Sequence, residues 1–171
     1  MSKILDTICL RRSIRVFQRR KIDREILIDL LKAGMAAPSA SNSRPWEFIL
    51  ITDEGLLEKL QSNLAYGKYN APAAAVVCAN LAIAKNDSAY RFWVQDCSAA
   101  SENILIAAAG MGLGTVWIGA YPKEDVMQTL RDILEIPEDI YPLNIIYIGY
   151  PAEEKDARTQ YEKERVHWNR Y

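Results

Sequence analysis

Hydrophobic residues recur along the chain with two different periods, which separate candidate helices from candidate strands. Where they repeat every three or four residues, as at Ile4, Leu5 and Ile8, the pattern predicts an amphipathic helix. Where they form short runs bounded by turn residues, the pattern predicts a buried strand. The predicted helices cover residues 2–9, 23–34, 54–64, 89–109 and 123–134, and the predicted strands cover residues 46–51, 73–79, 115–119 and 143–148.

The segment 89–109 differs from the other helices because apolar residues surround nearly its whole circumference. A helix of that kind must be covered on most sides, by the sheet or by another subunit. Strands and helices interleave, but the strands are few and unevenly connected, which favours an α+β fold in which helices cover a small sheet. No internal repeat, low-complexity stretch or linker interrupts residues 1–171, so we expect a single domain.

Composition narrows the possible functions. Hydrophobic residues make up 50% of the chain, and the net charge of -1 argues against a surface dedicated to nucleic acid or to a membrane. Cys9, Cys78 and Cys97 are odd in number and lack a CxxC spacing, so we expect no disulfide framework, no metal and a cytoplasmic location. The first ten residues lack the apolar stretch of a secretory signal, and the apolar run 104–114 is shorter than a membrane span. A hydrolase or a metalloenzyme is not favoured, because His167 is the only histidine that could serve a catalytic triad or a metal centre.

The segment that follows the first helix is strongly basic. Six positive side chains and no acid lie between Arg11 and Lys21. If the chain is extended there, alternation puts Arg11, Ser13 and Arg15 on one side, where guanidinium groups and a hydroxyl suit a phosphate. A solvent-exposed basic turn between two helices explains the same composition equally well. A nucleic-acid surface is a weaker interpretation, because no aromatic platform or second basic stripe accompanies the segment.

Two other segments could be either structural or functional. Residues 110–115 contain three glycines, but a dinucleotide fingerprint requires a preceding strand and a glycine where Thr115 stands. A helix end that needs a left-handed residue, followed by close packing, explains these glycines better. The polar residues between Pro38 and Pro45 predict a loop, and serine-rich turns of this kind are common in proteins without any functional role.

Taken together and in this order, several segments resemble the nitroreductase family, particularly its short-chain members. The resemblance spans nearly the whole chain, and it is specific because the segments occur in register, not because any one of them is unusual. The matching segments are RRSIRVF (11–17), APSASNSRPWEF (37–48), the Gln95-Asp96 helix that ends in GMGLGTVWIG (110–119), IGYPAEEKDAR (148–158) and the closing RVHWNRY (165–171).

This resemblance implies an α+β nitroreductase-like fold, with a small, mainly antiparallel central sheet flanked by helices and a C-terminal tail that extends onto the partner subunit. It implies a homodimer that binds FMN at its interface, with each of two sites built from both chains. By that similarity the phosphate and the pyrimidine side of the flavin are held by Arg11, Arg12, Ser13, Arg15, Lys68, Lys155 and Arg158. The reactive edge of the ring faces the backbone of Trp117, Ile118 and Gly119, and the neighbouring chain contributes Pro38, Ser39, Ala40 and Ser41.

The implied activity is that of an FMN-dependent oxidoreductase in which NAD(P)H reduces the flavin. The flavin then reduces a nitroaromatic, a quinone or a similar electron-poor molecule by a ping-pong hydride mechanism. No side chain is expected to be catalytic, because flavin N5 carries the chemistry. A specialised flavin reductase or dehalogenase on the same fold, and a non-catalytic flavin-binding sensor, are the alternatives.

Two departures from longer relatives bear on the substrate. Those relatives have an acidic residue before the glycine near flavin N5, where this chain reads Trp117-Ile118-Gly119. They also carry an insertion helix over the site, which has no counterpart in this sequence.

Overall fold

The computed structural model describes residues 2–171 and contains every helix and strand that the sequence predicts. None of these helices combines the length and the apolarity that a membrane crossing requires. The α-helices are α1 (Lys3–Leu10), α2 (Arg24–Met35), α3 (Glu54–Asn63), α4 (Ala89–Gly110) and α5 (Glu124–Leu134). The strands are β1 (Trp46–Ile51), β2 (Ala73–Asn80), β3 (Gly114–Gly119) and β4 (Ile140–Gly149), and short 3-10 turns occur at Ala40–Asn42 and Lys163–Arg165.

The four strands form one antiparallel sheet in the order β1-β2-β4-β3, which confirms the predicted α+β fold. Strands β1 and β3 are therefore the edges of this sheet. Strand β4 begins at Ile140, ahead of its predicted start at Leu143. Proline is disfavoured within a sheet, so the sequence predicts a start after Pro142. In the structure, Pro142 lies at a bulge, where the pairing with β2 shifts register between Val77 and Cys78, and a bulge tolerates proline.

Helices cover both faces of the sheet. Helices α2 and α4 pack on one face around Leu30 and Ile104, whereas α3 and α5 pack on the other around Leu60 and Leu130. These four side chains are almost completely withdrawn from solvent. Because both faces of the central strands are covered, β2 is buried along almost its whole length, which explains why its sequence is apolar without alternation.

The chain exposes more surface than a compact monomer of its size. Its accessible surface is 10495 Å². A compact monomer of 19.4 kDa exposes about 8,500 Å². Helix α4 contacts the sheet, α1 and α2, yet its Tyr90 and Phe92 are exposed. Residues 157–171 are exposed throughout, so the C-terminal tail packs little against its own chain.

Two glycines at the end of the β3–β4 pair allow the chain that follows α1 to lie against the sheet. Gly114 and Gly149 face each other across the two strands. A Cβ atom at Gly114 would lie 2.7 Å from Ile14, and one at Gly149 would lie 2.7 Å from Phe17, closer than real Cβ atoms approach other atoms. The close packing expected after the glycine run is thereby confirmed. Gly112, with a φ of 74°, supplies the expected left-handed residue at the end of α4.

Replacing Gly149 by alanine should destabilise the fold by roughly 1–3 kcal/mol, because the added methyl group overlaps Phe17 and Pro72. Chemical denaturation of the flavin-free protein measures this change in the free energy of unfolding. Gly119→Ala is the matched control, since a Cβ atom at that strand position meets nothing within 4 Å and should not lower stability. Equal stability of the two variants would contradict the steric argument.

Candidate functional site

The chain that leaves α1 runs extended along the outer edge of β3. Ile14 donates its N–H to the carbonyl of Thr115 at 2.8 Å, and Ser13 forms a parallel bridge with Thr115. The side chain of Ile14 is buried in the core, whereas that of Arg15 is exposed. The segment is thus extended beside β3, with Ile14 facing the core and Arg15 facing solvent, as the phosphate interpretation requires.

Residues that follow β4 run antiparallel beside this extended segment, starting from a bridge between Phe17 and Pro151. Lys155 Nζ donates to the carbonyl of Ser13 at 2.6 Å. Farther along, the N–H of Arg158 donates to the carbonyl of Cys9 at 3.1 Å. This pairing therefore brings the two sets of candidate phosphate-binding residues onto one surface, which we call the basic surface: Arg11, Arg12, Ser13, Arg15, Lys155 and Arg158.

Glu153 lies where these two segments meet, and the sequence pattern does not predict its role. One of its carboxylate oxygens accepts the main-chain N–H of Arg15 and that of Val16, and the other lies 3.3 Å from Lys155 Nζ. The hydrogen bond from Arg15, followed by the contacts with Lys155 and Val16, lowers the pKa of the Glu153 carboxyl. The ionised group orients Lys155 and holds the main chain beneath Arg15. Its sequence signal, an acid two residues before a lysine, is too common to identify it.

The cations of the basic surface are unequally neutralised. Arg11 lies 3.5 Å from the carboxylate of Glu102 on α4, and Arg12 donates to the main-chain carbonyl of Asp156. Arg15 and Arg158 have no carboxylate within 4.0 Å among residues 2–171. Planar guanidinium groups without a counter-ion suit a phosphate monoester. These residues therefore fit the phosphate of FMN.

Beyond Thr115, the outer edge of β3 has no partner strand within the described residues. The carbonyl of Thr115 points outward to Ile14, so strand alternation also points the main-chain groups of Trp117 and Gly119 outward. Those of Ile118 point toward β4 by the same alternation. Gly119 is exposed, and a Cβ atom there would meet nothing within 4 Å. Main-chain donors are therefore available where a planar ring can approach.

Lys68 lies in the loop between α3 and β2, and this loop is tied to the extended segment. Asn70 accepts the N–H of Phe17 at 3.1 Å and donates its side-chain amide to the carbonyl of Phe17 at 2.7 Å. The side chain of Lys68 is exposed and borders a shallow depression together with Asn70 and Gln61. Lys68 thus adds a cation near the end of the extended segment without contacting the basic surface directly.

The polar loop before β1 has more structure than predicted, because Ala40–Asn42 forms a 3-10 turn. Ser41, Asn42 and Arg44 have φ angles of 50°, 56° and 50°, a region that residues other than glycine rarely adopt. The carboxylate of Asp96 on α4 accepts the main-chain N–H of Ala40 at 2.8 Å. The sequence pattern places Asp96 on a helix but predicts no role for its side chain.

One chain does not bring Pro38–Ser41 to the basic surface. The polar loop leads into β1, which forms one edge of the sheet. The basic surface lies beside β3, which forms the other edge. In the part of the chain that is described, neither a hydrogen bond nor an ion pair links residues 38–41 to residues 11–15. Each chain thus carries two separate parts of the site that the family resemblance implies.

The three cysteines are free and buried. Burial raises the pKa of the Cys78 thiol to about 12 and also raises that of Cys97, so both are poor nucleophiles at neutral pH. Within residues 2–171, no three His, Cys, Asp or Glu side chains are grouped as a metal site requires. The basic surface and the outer edge of β3 are therefore the candidate functional site.

Known proteins match this chain over most of its length. The model of the Nitroreductase family matches residues 8–68 and 59–150. An Archaeoglobus fulgidus protein, provisionally named NADH dehydrogenase/NAD(P)H nitroreductase, is 45% identical over 98% of each chain. A crystal structure of a similarly named protein from Bacteroides thetaiotaomicron is 39% identical with a TM-score of 0.92, covering 100% of this chain and 99% of that chain. An FMN-dependent nitroreductase from Clostridium difficile is 32% identical with a TM-score of 0.87, covering 98% and 99%.

The residues matched by the family model include the extended segment after α1, the polar loop and all four strands. At these identities and coverages, the similarity goes beyond a shared architecture. The chain belongs to the nitroreductase family, as its sequence motifs indicate.

Proposed function

We propose that this protein is an FMN-dependent oxidoreductase that takes electrons from NAD(P)H and passes them in pairs to a small electron-poor acceptor, such as a nitroaromatic or a quinone. The observation that carries the proposal is the antiparallel pairing of residues 11–15 with residues 153–158 beside the outer edge of β3. This pairing places Arg15, Arg158 and Lys155 beside the strand β3, whose main-chain donors point outward. The names of the relatives, an NAD(P)H nitroreductase and an FMN-dependent nitroreductase, support the electron donor and the cofactor.

Each part of this surface has a distinct role in holding FMN. Arg15 and Arg158 bind the phosphate, and the outward main-chain groups of Trp117 and Gly119 meet the edge of the ring. Lys68 supplies a fixed positive charge on the carbonyl side of the ring, where it stabilises negative charge electrostatically. When bound, FMN supplies the centre that accepts and donates hydride. The chain itself binds and orients the cofactor.

The functional unit in this proposal is a homodimer. The accessible surface of 10495 Å² exceeds that of a compact monomer by about 2,000 Å², an excess comparable with the area that permanent dimers bury. Apolar side chains are exposed on α1, including Ile4 and Leu10, and on the tail, including Trp168 and Tyr171. A second copy covers these side chains and brings its own residues 38–41 to the flavin held by the first.

Donor and acceptor use the site in turn. Strand β4 occupies one edge of β3, so substrates reach the flavin from the side of the other edge. If nicotinamide stacks on the ring to deliver hydride, it occupies the space that the acceptor needs. The oxidised nicotinamide then leaves before the acceptor binds, which is the ping-pong order.

The purified protein should be yellow, with one FMN for each chain. Arg15→Ala and Arg158→Ala should each weaken FMN binding at least about tenfold without unfolding the chain, because a charge-assisted hydrogen bond contributes roughly 1.5–3 kcal/mol. Quenching of FMN fluorescence during titration of flavin-free protein measures the Kd. Lys59→Ala, which removes an exposed cation on α3, is the control and should leave the Kd unchanged. Unchanged affinity in both arginine variants would remove the phosphate assignment.

Removing residues 159–171 should weaken dimerisation at least about tenfold, because the deletion removes the exposed aromatic side chains of the tail. The core should remain folded, since every deleted residue is exposed in its own chain. Sedimentation velocity measures the assembly, and circular dichroism reports the fold. Tyr66→Ser removes an exposed aromatic outside the tail and serves as the control. A full-length chain that is monomeric at micromolar concentration with FMN bound would argue against the dimer.

Double-reciprocal plots of initial velocity, measured at several fixed acceptor concentrations, should be parallel. Intersecting lines would require a ternary complex and a second substrate pocket. Under anaerobic conditions, NADH or NADPH should bleach the flavin absorbance, and bleaching by neither would favour the sensor over the enzyme. Activity with free flavin or halogenated aromatics, but not with nitroaromatics or quinones, would favour the specialised reductase or dehalogenase.

A further inference from the structure

Asp96 is the only buried charged side chain among residues 2–171, with 4% of its surface exposed. Its Oδ1 atom accepts the main-chain N–H of Ala40 at 2.8 Å, and its Oδ2 atom accepts the hydroxyl of Ser43 at 2.9 Å. Ser43 is itself fully buried. A carboxylate is costly to bury unless it is hydrogen bonded, so both oxygens of Asp96 are committed to the polar loop.

The loop that Asp96 holds has an unfavourable backbone. Ser41, Asn42 and Arg44 all have positive φ angles, and none of them is glycine. Such conformations persist only where the surrounding structure imposes them, and they are concentrated at functional sites. Two further hydrogen bonds reach Ser41 from residues 86–88, at 2.9 and 3.0 Å, but both are exposed to competition from water. Among these contacts, the hydrogen bonds of the buried Asp96 are therefore the ones least open to replacement by water.

We propose that Asp96 is a positioning residue for the flavin site: it fixes residues 39–41 of its own chain in the shape that contacts FMN bound by the partner chain. This inference rests on the proposed function. Both oxygens of Asp96 bond to its own polar loop, so Asp96 acts through that loop and not by touching cofactor or substrate. The loop and the basic surface lie at opposite sheet edges, so Asp96 serves the site whose arginines belong to the other chain.

Asp96→Ala removes both acceptors and leaves the N–H of Ala40 and the hydroxyl of Ser43 without partners. FMN should bind at least about tenfold more weakly, and the Ala40 amide should lose hydrogen-exchange protection even in flavin-free protein. Asp96→Asn keeps an oxygen for Ala40 and provides an amide that can donate to Ser43. This conservative variant should restore FMN affinity to within about threefold of the wild-type value.

Ser101→Ala is the matched control for the loss of a buried polar group from α4. The hydroxyl of Ser101 donates to the carbonyl of Cys97 and accepts the side-chain amide of Asn144, and it does not contact the polar loop. Its loss should lower thermal stability without changing FMN affinity or exchange at Ala40. If Asp96→Ala likewise lowers stability but leaves FMN affinity unchanged, the role of Asp96 is only structural and the proposal is overturned.

Mixed dimers test which of the two flavins Asp96 serves. One chain carries Asp96→Ala, and the other carries both Arg15→Ala and Arg158→Ala. Each chain has a different affinity tag, so that purification on both tags in succession isolates the mixed dimer. One site of this dimer then combines intact arginines with an intact polar loop. It should bind one FMN with wild-type affinity, although neither variant does so as a homodimer.

A mixed dimer without a high-affinity site would show that Asp96 does not act across the interface, which overturns the proposal. Wild-type protein that binds no FMN overturns this proposal together with the proposed function. Wild-type protein that binds FMN and is reduced by NAD(P)H, while Asp96→Ala binds FMN normally, overturns the role of Asp96 alone.

Discussion

The close approach of the chain after α1 to the end of the β3–β4 pair is the contact on which the rest of the site depends. Gly114 and Gly149 leave the necessary space, and the hydrogen bond from Ile14 to Thr115 then sets the register of the extended segment. Only in that register does the carbonyl of Ser13 meet Lys155. A displacement of this segment separates the arginines at the two ends of the chain while most of the hydrophobic core stays in place.

Helix α4 links the two parts of the site within one rigid element. Asp96 holds the polar loop and Glu102 contacts Arg11, and these two acids, six positions apart, are separated by about 9 Å along the helix axis. Between them, Cys97, Ala100 and Ser101 are buried in the core. The packing of the central helix therefore positions both acids, and under the proposed function it prepares each chain for FMN more than the surface loops that carry the candidate ligands do.

Local patterns were sufficient to predict the helices and strands, because each element has its own periodicity and its own breakers. The phosphate-binding candidates near Arg11 were equally visible, because their charges are adjacent in sequence. Asp96 and Glu153 were not predictable, because their partners Ser43 and Arg15 lie 53 and 138 positions away. Periodicity carries no information about such pairings. The role of the segment 155–158 came from the family resemblance alone, for the same reason.

The pairing that completes the basic surface also has a consequence for how the protein is made. Ser13 and Lys155 are 142 positions apart, so the early arginines leave the ribosome long before the residues that complete their surface. Contacts between positions so far apart slow folding, because the long loop between them must be closed first. A nascent chain interrupted before residue 150 lacks Lys155 and Arg158, so under the proposed function it has no complete surface with which to sequester FMN.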